Sequence, residues 1–396
     1  MRLYSLCFLL AHGILASPAP RDSGGFGLAQ HVIVFGLDGL DVRCLHKALT
    51  QGIAPNLQFL RDHGLVTDMA RNERPALSLP NWATIFYGAG VMFHGVLSDD
   101  WSYCTRRQDY ASDHPPSWDD DDGDDDSNDD SWIDFIPPYL GDCVVYPDLF
   151  TVVKQQRPEL QTAMYYSWAN LDAILPADVV TVDTRRRRGG TATNNGCDNT
   201  IEASDALTSD VVAAIAADKM PHLVFLHLAE VDECAHESKC FSPHGQTSIA
   251  TADANIGRVL AAVRAAGREN ATVILLVTNH GRNFNGKHHG DDSQFNFRTQ
   301  WLVYGQGIVQ GNRTVKSVVS IQDTAPTVAH FLGIRAPVEW RGRVPEELFL
   351  VGNETVYSAA TEPWGTCLKL QARKNVSSSW LALLGCLVIA VVLYYV

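Results

Sequence analysis

Three short runs of the chain are apolar at almost every position: "HVIVFGL" (His31 to Leu37), "HLVFLHL" (His222 to Leu228) and "TVILLVT" (Thr272 to Thr278). Runs of this length with no polar alternation read as strands buried on both faces of a parallel sheet. Between them lie helix-like segments such as "SDVVAAIAADKM" and "ATADANIGRVLAAVRAAG". The alternation predicts an α/β fold, a mostly parallel sheet flanked by helices on both faces. No internal repeat interrupts it, so one domain is expected from about residue 30 to residue 350.

With 396 residues and 46% hydrophobic positions, the chain has ample material for a core, which excludes disorder throughout. The formal charge of -14 comes mostly from "WDDDDGDDDSNDDSW", residues 118–132. Its aspartates cannot pack against one another, and a solvated, disordered insertion is expected there. The run lacks the ordered spacing of a calcium loop. "RRRR", Arg185 to Arg188, reads as a solvated or protease-sensitive loop, and nothing suggests binding to a nucleic-acid duplex.

The two ends read as targeting segments. "MRLYSLCFLLAHGILASPAP" has one basic residue, an apolar stretch and a small residue, Ala16, as expected of a signal peptide over residues 1–16. Sequons at Asn270, Asn312, Asn353 and Asn375 agree with passage through the secretory pathway. After a linker at residues 351–379, the tail "WLALLGCLVIAVVLYYV" (380–396) ends the chain with no polar residue behind it. That pattern fits a discarded GPI-anchor signal better than a membrane span, and either anchors the protein to the cell surface. Outside both segments the cysteine count is odd. Cys104 with Cys143, and Cys234 with Cys240, are the expected pairs.

Chemistry concentrates just beyond the three apolar runs. The first leads to "DGLD" with Asp38, the second to "AEVDECAHE" with Asp232 and His236, and the third to "NHGR" with Asn279 and His280. "GKHHG" adds His288 and His289 a few residues further on. In open α/β sheets the carboxyl ends of strands face the ligand crevice, so these side chains should converge. Aspartate and histidine together are the oxygen and nitrogen donors that zinc prefers. His288, beside a candidate ligand, reads as solvent-facing, His244 as loop structure, and Asp41 as a solvated or capping residue.

The stretch "PALSLPNWATIFYGAG" places Ser78 ahead of Pro80, Asn81 and an apolar run. On local pattern Ser78 is an ordinary helix N-cap. A helix N-terminus also offers unpaired N–H groups to an anion, so a nucleophilic serine fits the same place. Trp82 reads as core, with stacking on a nucleobase as the alternative.

Taken in order, "SLPNWATIFYGAG" with "HGV", the "VDxxxH" pair, the "HGR" turn, "GKxHG", "IQDTAPTVAHFLGI" and "EWRGR" resemble the alkaline phosphatase superfamily, and within it the type I phosphodiesterase and nucleotide pyrophosphatase branch. The resemblance implies two divalent cations, most often zinc. Asp232, His236 and His289 match the ligands of one; Asp38, Ser78, Asn279 and His280 match positions around the other. It further implies Ser78 as the nucleophile that becomes phosphorylated and Asn81 as the side chain steadying a phosphoryl oxygen. A sulfatase would carry arginine where Trp82 stands, and a monoesterase of this fold a phosphate-clamping arginine near Asn81. The implied substrate is a small phosphate ester, a nucleotide or a phospholipid headgroup.

The chain departs from the family at Asn279, where the family has aspartate. A neutral amide is a poorer ligand than a carboxylate and removes one balancing charge. Two readings follow: an enzyme with a weakened second metal site, or a surface pseudoenzyme that retained the fold for binding. A phosphomonoesterase of the same fold is the third.

Overall fold

The computed structural model describes residues 27, 29–101, 146–189, 196–305, 307, 308, 313–351, 354 and 355. The aspartate run, the signal segment, the C-terminal tail, Cys104, Cys143 and three of the four sequons lie outside them. Asn270, in the fourth sequon, is exposed.

Eight strands form one sheet: β1 (His31–Leu37), β2 (Leu65–Arg71), β3 (Thr162–Tyr166), β4 (Thr184–Arg187), β5 (Leu223–Leu228), β6 (Thr272–Thr278), β7 (Arg298–Gly305) and β8 (Arg313–Thr314). Their order is β4-β3-β5-β1-β6-β7-β2-β8. The three apolar runs are its parallel centre, with β1 paired to β5 on one side and to β6 on the other. β7 runs antiparallel to both β6 and β2, so the sheet is mixed toward one edge.

Helices cover both faces. Val42–Thr50, Pro55–His63, Cys197–Ala216 and Pro243–Ala265 bury Cys44, Leu57, Leu207 and Ile256 against Ile33, Phe35 and Leu276. On the opposite face helix Ser78–Tyr87 sets Trp82 and Phe86 against Phe225 of β5. Gly36 in β1 makes this approach possible, because a Cβ there would lie 2.6 Å from the Trp82 ring and 2.8 Å from Phe225. Trp82 is accordingly a core residue, fully buried.

The arginine run is not a loop. Thr184–Arg187 is the edge strand β4, paired to β3, and the long side chains find partners at this half-exposed edge. Arg185 donates to the Leu175 carbonyl at 2.8 Å, and Arg188 pairs with Asp210 at 2.8 Å.

The expected Cys234–Cys240 bridge is replaced by Cys197–Cys234 and Cys44–Cys240. Helix Glu230–Ser238 turns Cys234 toward the start of helix Cys197–Ala216, and Cys240, past the helix end at Lys239, faces helix Val42–Thr50 instead. Disulfides of this kind persist in oxidising compartments. The first compact unit ends at Phe349, and beyond it Leu350–Val351 and Glu354–Thr355 form a short antiparallel pair. Among the described residues no helix is long and apolar enough to cross a membrane.

Candidate active site

Asp38 is the first residue past β1, and its N–H bonds the Leu228 carbonyl at the end of β5 at 3.1 Å. Gly39 follows with φ +60, and a Cβ there would lie 2.2 Å from Asp232 Oδ1. Only glycine lets this turn pass so close to the second strand end. The buried Asp38 carboxylate is surrounded by donors. Oδ1 accepts from Asn279 Nδ2 at 2.7 Å and lies 3.4 Å from Ser78 Oγ; Oδ2 accepts from Trp82 Nε1 at 3.1 Å and lies 3.1 Å from His227 Nε2. Burial pushes its pKa up, but the His227 and His280 contacts outweigh that and hold it well below the usual carboxylate range.

Ser78 is not the helix cap. It is the first residue of helix Ser78–Tyr87, Leu77 stands at the cap position, and no cap side chain bonds the helix. Asp99 does that work from another segment, accepting the Leu79 N–H at 2.7 Å. The Ser78 hydroxyl therefore points into the site, 2.9 Å from His280 Nε2. His280 Nδ1 lies 2.9 Å from the Gly281 carbonyl, which can only accept, so Nδ1 carries the hydrogen and Nε2 offers its lone pair to Ser78. Burial lowers the His280 pKa, but the Asp38 hydrogen bond and the Asp232 and Asp38 charges together raise it.

Asn81 is not brought to the serine hydroxyl. It is fully buried, its oxygen accepting the Glu73 N–H at 2.8 Å and its amide donating to Pro75 and Leu77 carbonyls at 3.0 and 2.9 Å. The side chain holds the turn that delivers Ser78 and has no spare group for a phosphoryl oxygen.

Asp232 and His236 lie one turn apart on helix Glu230–Ser238, with His236 Nε2 3.2 Å from Asp232 Oδ2. His289 comes from the loop after β6, and its Nδ1 bonds the Ala76 carbonyl at 3.0 Å. Its Nε2 then faces Asp232 Oδ1 at 3.9 Å, and its ring stacks on His280 at 3.7 Å. Burial and the neighbouring His280 push its pKa down to about 3, leaving it neutral. His288 is exposed beside it.

Ligand atoms of Asp232, His236 and His289 all lie within 4.8 Å of one another, as do those of Asp38, Asp232 and His280. Imidazoles set against a carboxylate, with the His280 and His289 rings each fixed by Nδ1 on a backbone carbonyl, are the arrangement that receives a divalent cation. The first group fits an ion as it stands. The second is less complete, because Asn279 turns its oxygen to the Gly39 and His280 N–H groups at 3.0 and 2.9 Å and its NH2 to Asp38. Two backbone donors fix that orientation, so the amide presents a donor where a ligand would present an oxygen.

Three participants had escaped the sequence reading. Arg282 is wholly buried and contacts the Asp232 carboxylate; the "HGR" turn was its signal. Asp99 follows "HGV" in "SDD" and gave none. His227 sits inside the apolar run of β5 as its single polar residue. Asp41 is buried and caps helix Val42–Thr50 through the Arg43 and Cys44 N–H groups. His244 is exposed, near the Cys197–Cys234 bridge.

A parallel sheet covered on both faces, with aspartates and histidines converging beyond its strand ends on a serine at a helix start, defines the class as alkaline phosphatase-like. The family model for type I phosphodiesterase / nucleotide pyrophosphatase matches residues 32–308, and the chain belongs to that family. The fold resembles murine ectonucleotide pyrophosphatase / phosphodiesterase 5, solved as an inactive variant in complex with AMP (13% identity, 78% of this chain and 96% of that one, TM-score 0.54). It also resembles a putative sulfatase from Bacteroides thetaiotaomicron (12%, 83% and 76%, TM-score 0.57) and an alkaline phosphatase superfamily protein from Vibrio parahaemolyticus (12%, 80% and 70%, TM-score 0.50). No curated protein matches the chain in sequence.

Proposed function

We propose that the chain is a metal-dependent phosphoric ester hydrolase of the phosphodiesterase and nucleotide pyrophosphatase type, with Ser78 as its nucleophile. The observation that carries this reading is the Ser78 hydroxyl, released from capping and set 2.9 Å from the His280 Nε2 lone pair. Ser78 Oγ bonds to phosphorus as one ester oxygen leaves, its proton passing to His280 Nε2, and water then cleaves the Ser78–phosphorus ester, releasing the phosphomonoester that keeps the second ester group. Asp232, His236 and His289 would hold a divalent ion, zinc being the one suited to this donor set, while His280, whose Nε2 receives the Ser78 proton, stays a base and not a ligand beside Asp38 and Ser78. Such a cation supplies neutralisation of the phosphoryl and leaving oxygens.

The Cys44–Cys240 and Cys197–Cys234 disulfides, an exposed sequon at Asn270 and the signal-like N-terminus support a secreted or surface-anchored protein, held by residues 380–396 or a lipid. The catalytic domain is then residues 30–350. The AMP complex of the mouse protein supports a small phosphate ester, a nucleotide among them, as substrate.

A surface binding protein is the second reading, favoured by the Asn279 amide that occupies Asp38. Assay of the purified ectodomain with zinc against a nitrophenyl phosphodiester and the matching monoester separates them. Preferential diester cleavage supports the enzyme, dominant monoester cleavage the phosphomonoesterase alternative, and no turnover at full metal loading the binding role.

A further inference from the structure

Arg282 is among the largest fully buried side chains of the protein. Its guanidinium joins two loops and helix Glu230–Ser238 beyond the strand ends. Nε donates to the Gly39 carbonyl at 3.2 Å, Nη1 to the Lys287 carbonyl at 2.6 Å, and Nη2 to the Asp232 carbonyl at 2.8 Å as well as to the Asp232 carboxylate oxygen Oδ1. Its backbone N–H bonds Asp41 Oδ2 at 3.2 Å, fixing the residue from the other side. An arginine does not lose its proton in a protein, so this is a permanent positive charge in the cluster.

The oxygen it takes matters. Oδ1 of Asp232 faces His280 and His289, each at 3.9 Å, whereas Oδ2 faces His236 at 3.2 Å. The two candidate ion groups share Asp232, and with Oδ1 engaged by Arg282 only Oδ2 is left to a metal. On the other side Asp38 is the further carboxylate of the ligand group, and Asn279 covers its Oδ1 with an N–H. Of the two ligand carboxylates one is thus matched by a guanidinium, and a pair of dications would be left strongly under-neutralised beside the buried Asp38 and His280.

We propose that Arg282 is a resident cation of this centre, standing in for one of two metal ions, so that the chain holds a single divalent ion between Asp232 Oδ2, His236 and His289. This rests on the cluster being the metal centre of the function proposed above, and it concerns ion count, not turnover.

The test is zinc per chain, retained after gel filtration and read by elemental mass spectrometry, with the thermal midpoint followed alongside. Wild type and Arg282→Lys, which keeps the charge, should retain one equivalent. Asn279→Asp/Arg282→Met should retain two. Two tightly held equivalents in wild type, or one in a cooperatively folded double variant, would overturn the proposal. Should the double variant fail to fold, Asn279→Asp alone decides. With Arg282 in place its second zinc should bind at least roughly 10-fold more weakly than the first, and two equivalents of like affinity would overturn the idea. A wild type with one zinc and no diesterase activity removes the hydrolase reading and leaves this one standing; an active wild type with two zincs does the reverse.

Discussion

Asn279 donates its side-chain amide to Asp38 Oδ1 at 2.7 Å, while its own oxygen is held by the N–H groups of Gly39 and His280. An aspartate in this position would keep both backbone bonds and place a second carboxylate oxygen against Asp38, a pair that calls for a cation or a proton. Asn279→Asp should therefore raise affinity for a second divalent ion by at least roughly 10-fold and increase diesterase turnover under limiting metal. Isothermal titration with zinc in the wild type and the variant checks this. Unchanged second-ion affinity would mean that the amide is not what weakens that position.

The central strands were legible because burial on both faces removes polar alternation, and β1 and β6 run over the same residues as the apolar runs. Edge strands were not. β4 is four residues of threonine and arginine whose burial comes only from one neighbour, so its sequence reads as loop. The convergence of Asp38, Asp232, His236, His280 and His289 was legible from their positions after strands. The tasks of Ser78, Asn81 and Asp99 were not, since which group caps a helix depends on segments far apart in sequence.

Asn81 should act on the position of Ser78 and not on phosphate. Asn81→Ala leaves the Glu73 N–H and the Pro75 and Leu77 carbonyls without a buried partner. A loss of about 2–4 kcal/mol of stability is expected, measured by urea unfolding. If instead stability holds and only the affinity for inorganic phosphate falls, the side chain touches the ligand.

His94 should give the fold an acid-sensitive step. It is fully buried behind Ser78–Tyr87; its Nδ1 accepts the Val96 N–H at 3.1 Å and its Nε2 lies 3.0 Å from Thr84 Oγ1. Burial pushes its pKa down to about 3 from an ordinary value of 6.5. The folded state thus prefers the neutral ring. Its contribution is fully present above pH 6.5 and is lost as pH falls through the window down to about 3, at about 1.4 kcal/mol per pH unit. Unfolding midpoints at several pH values should decline less steeply in His94→Gln than in wild type. Parallel declines would place the acid sensitivity elsewhere.

Removing the metal should separate structure from chemistry. Because Asp38 is already bonded by Asn279 and Trp82, the Asp38 side should survive chelation, while Asp232, His236 and His289 lose their shared ion. Chelator treatment should abolish diester turnover with little change in the far-ultraviolet dichroism. Global unfolding on chelation would make the ion structural.

The central claim is that Ser78 attacks phosphorus, and the most direct measurement is covalent. Zinc-loaded protein mixed with a nitrophenyl phosphodiester and quenched in acid should yield a peptide whose Ser78 carries the phosphoryl group with the substrate's remaining ester. Ser78→Ala, with equal zinc content, should yield none and hydrolyse nothing. Turnover that persists in Ser78→Ala, or a wild type that turns over while Ser78 is never modified, would contradict the account.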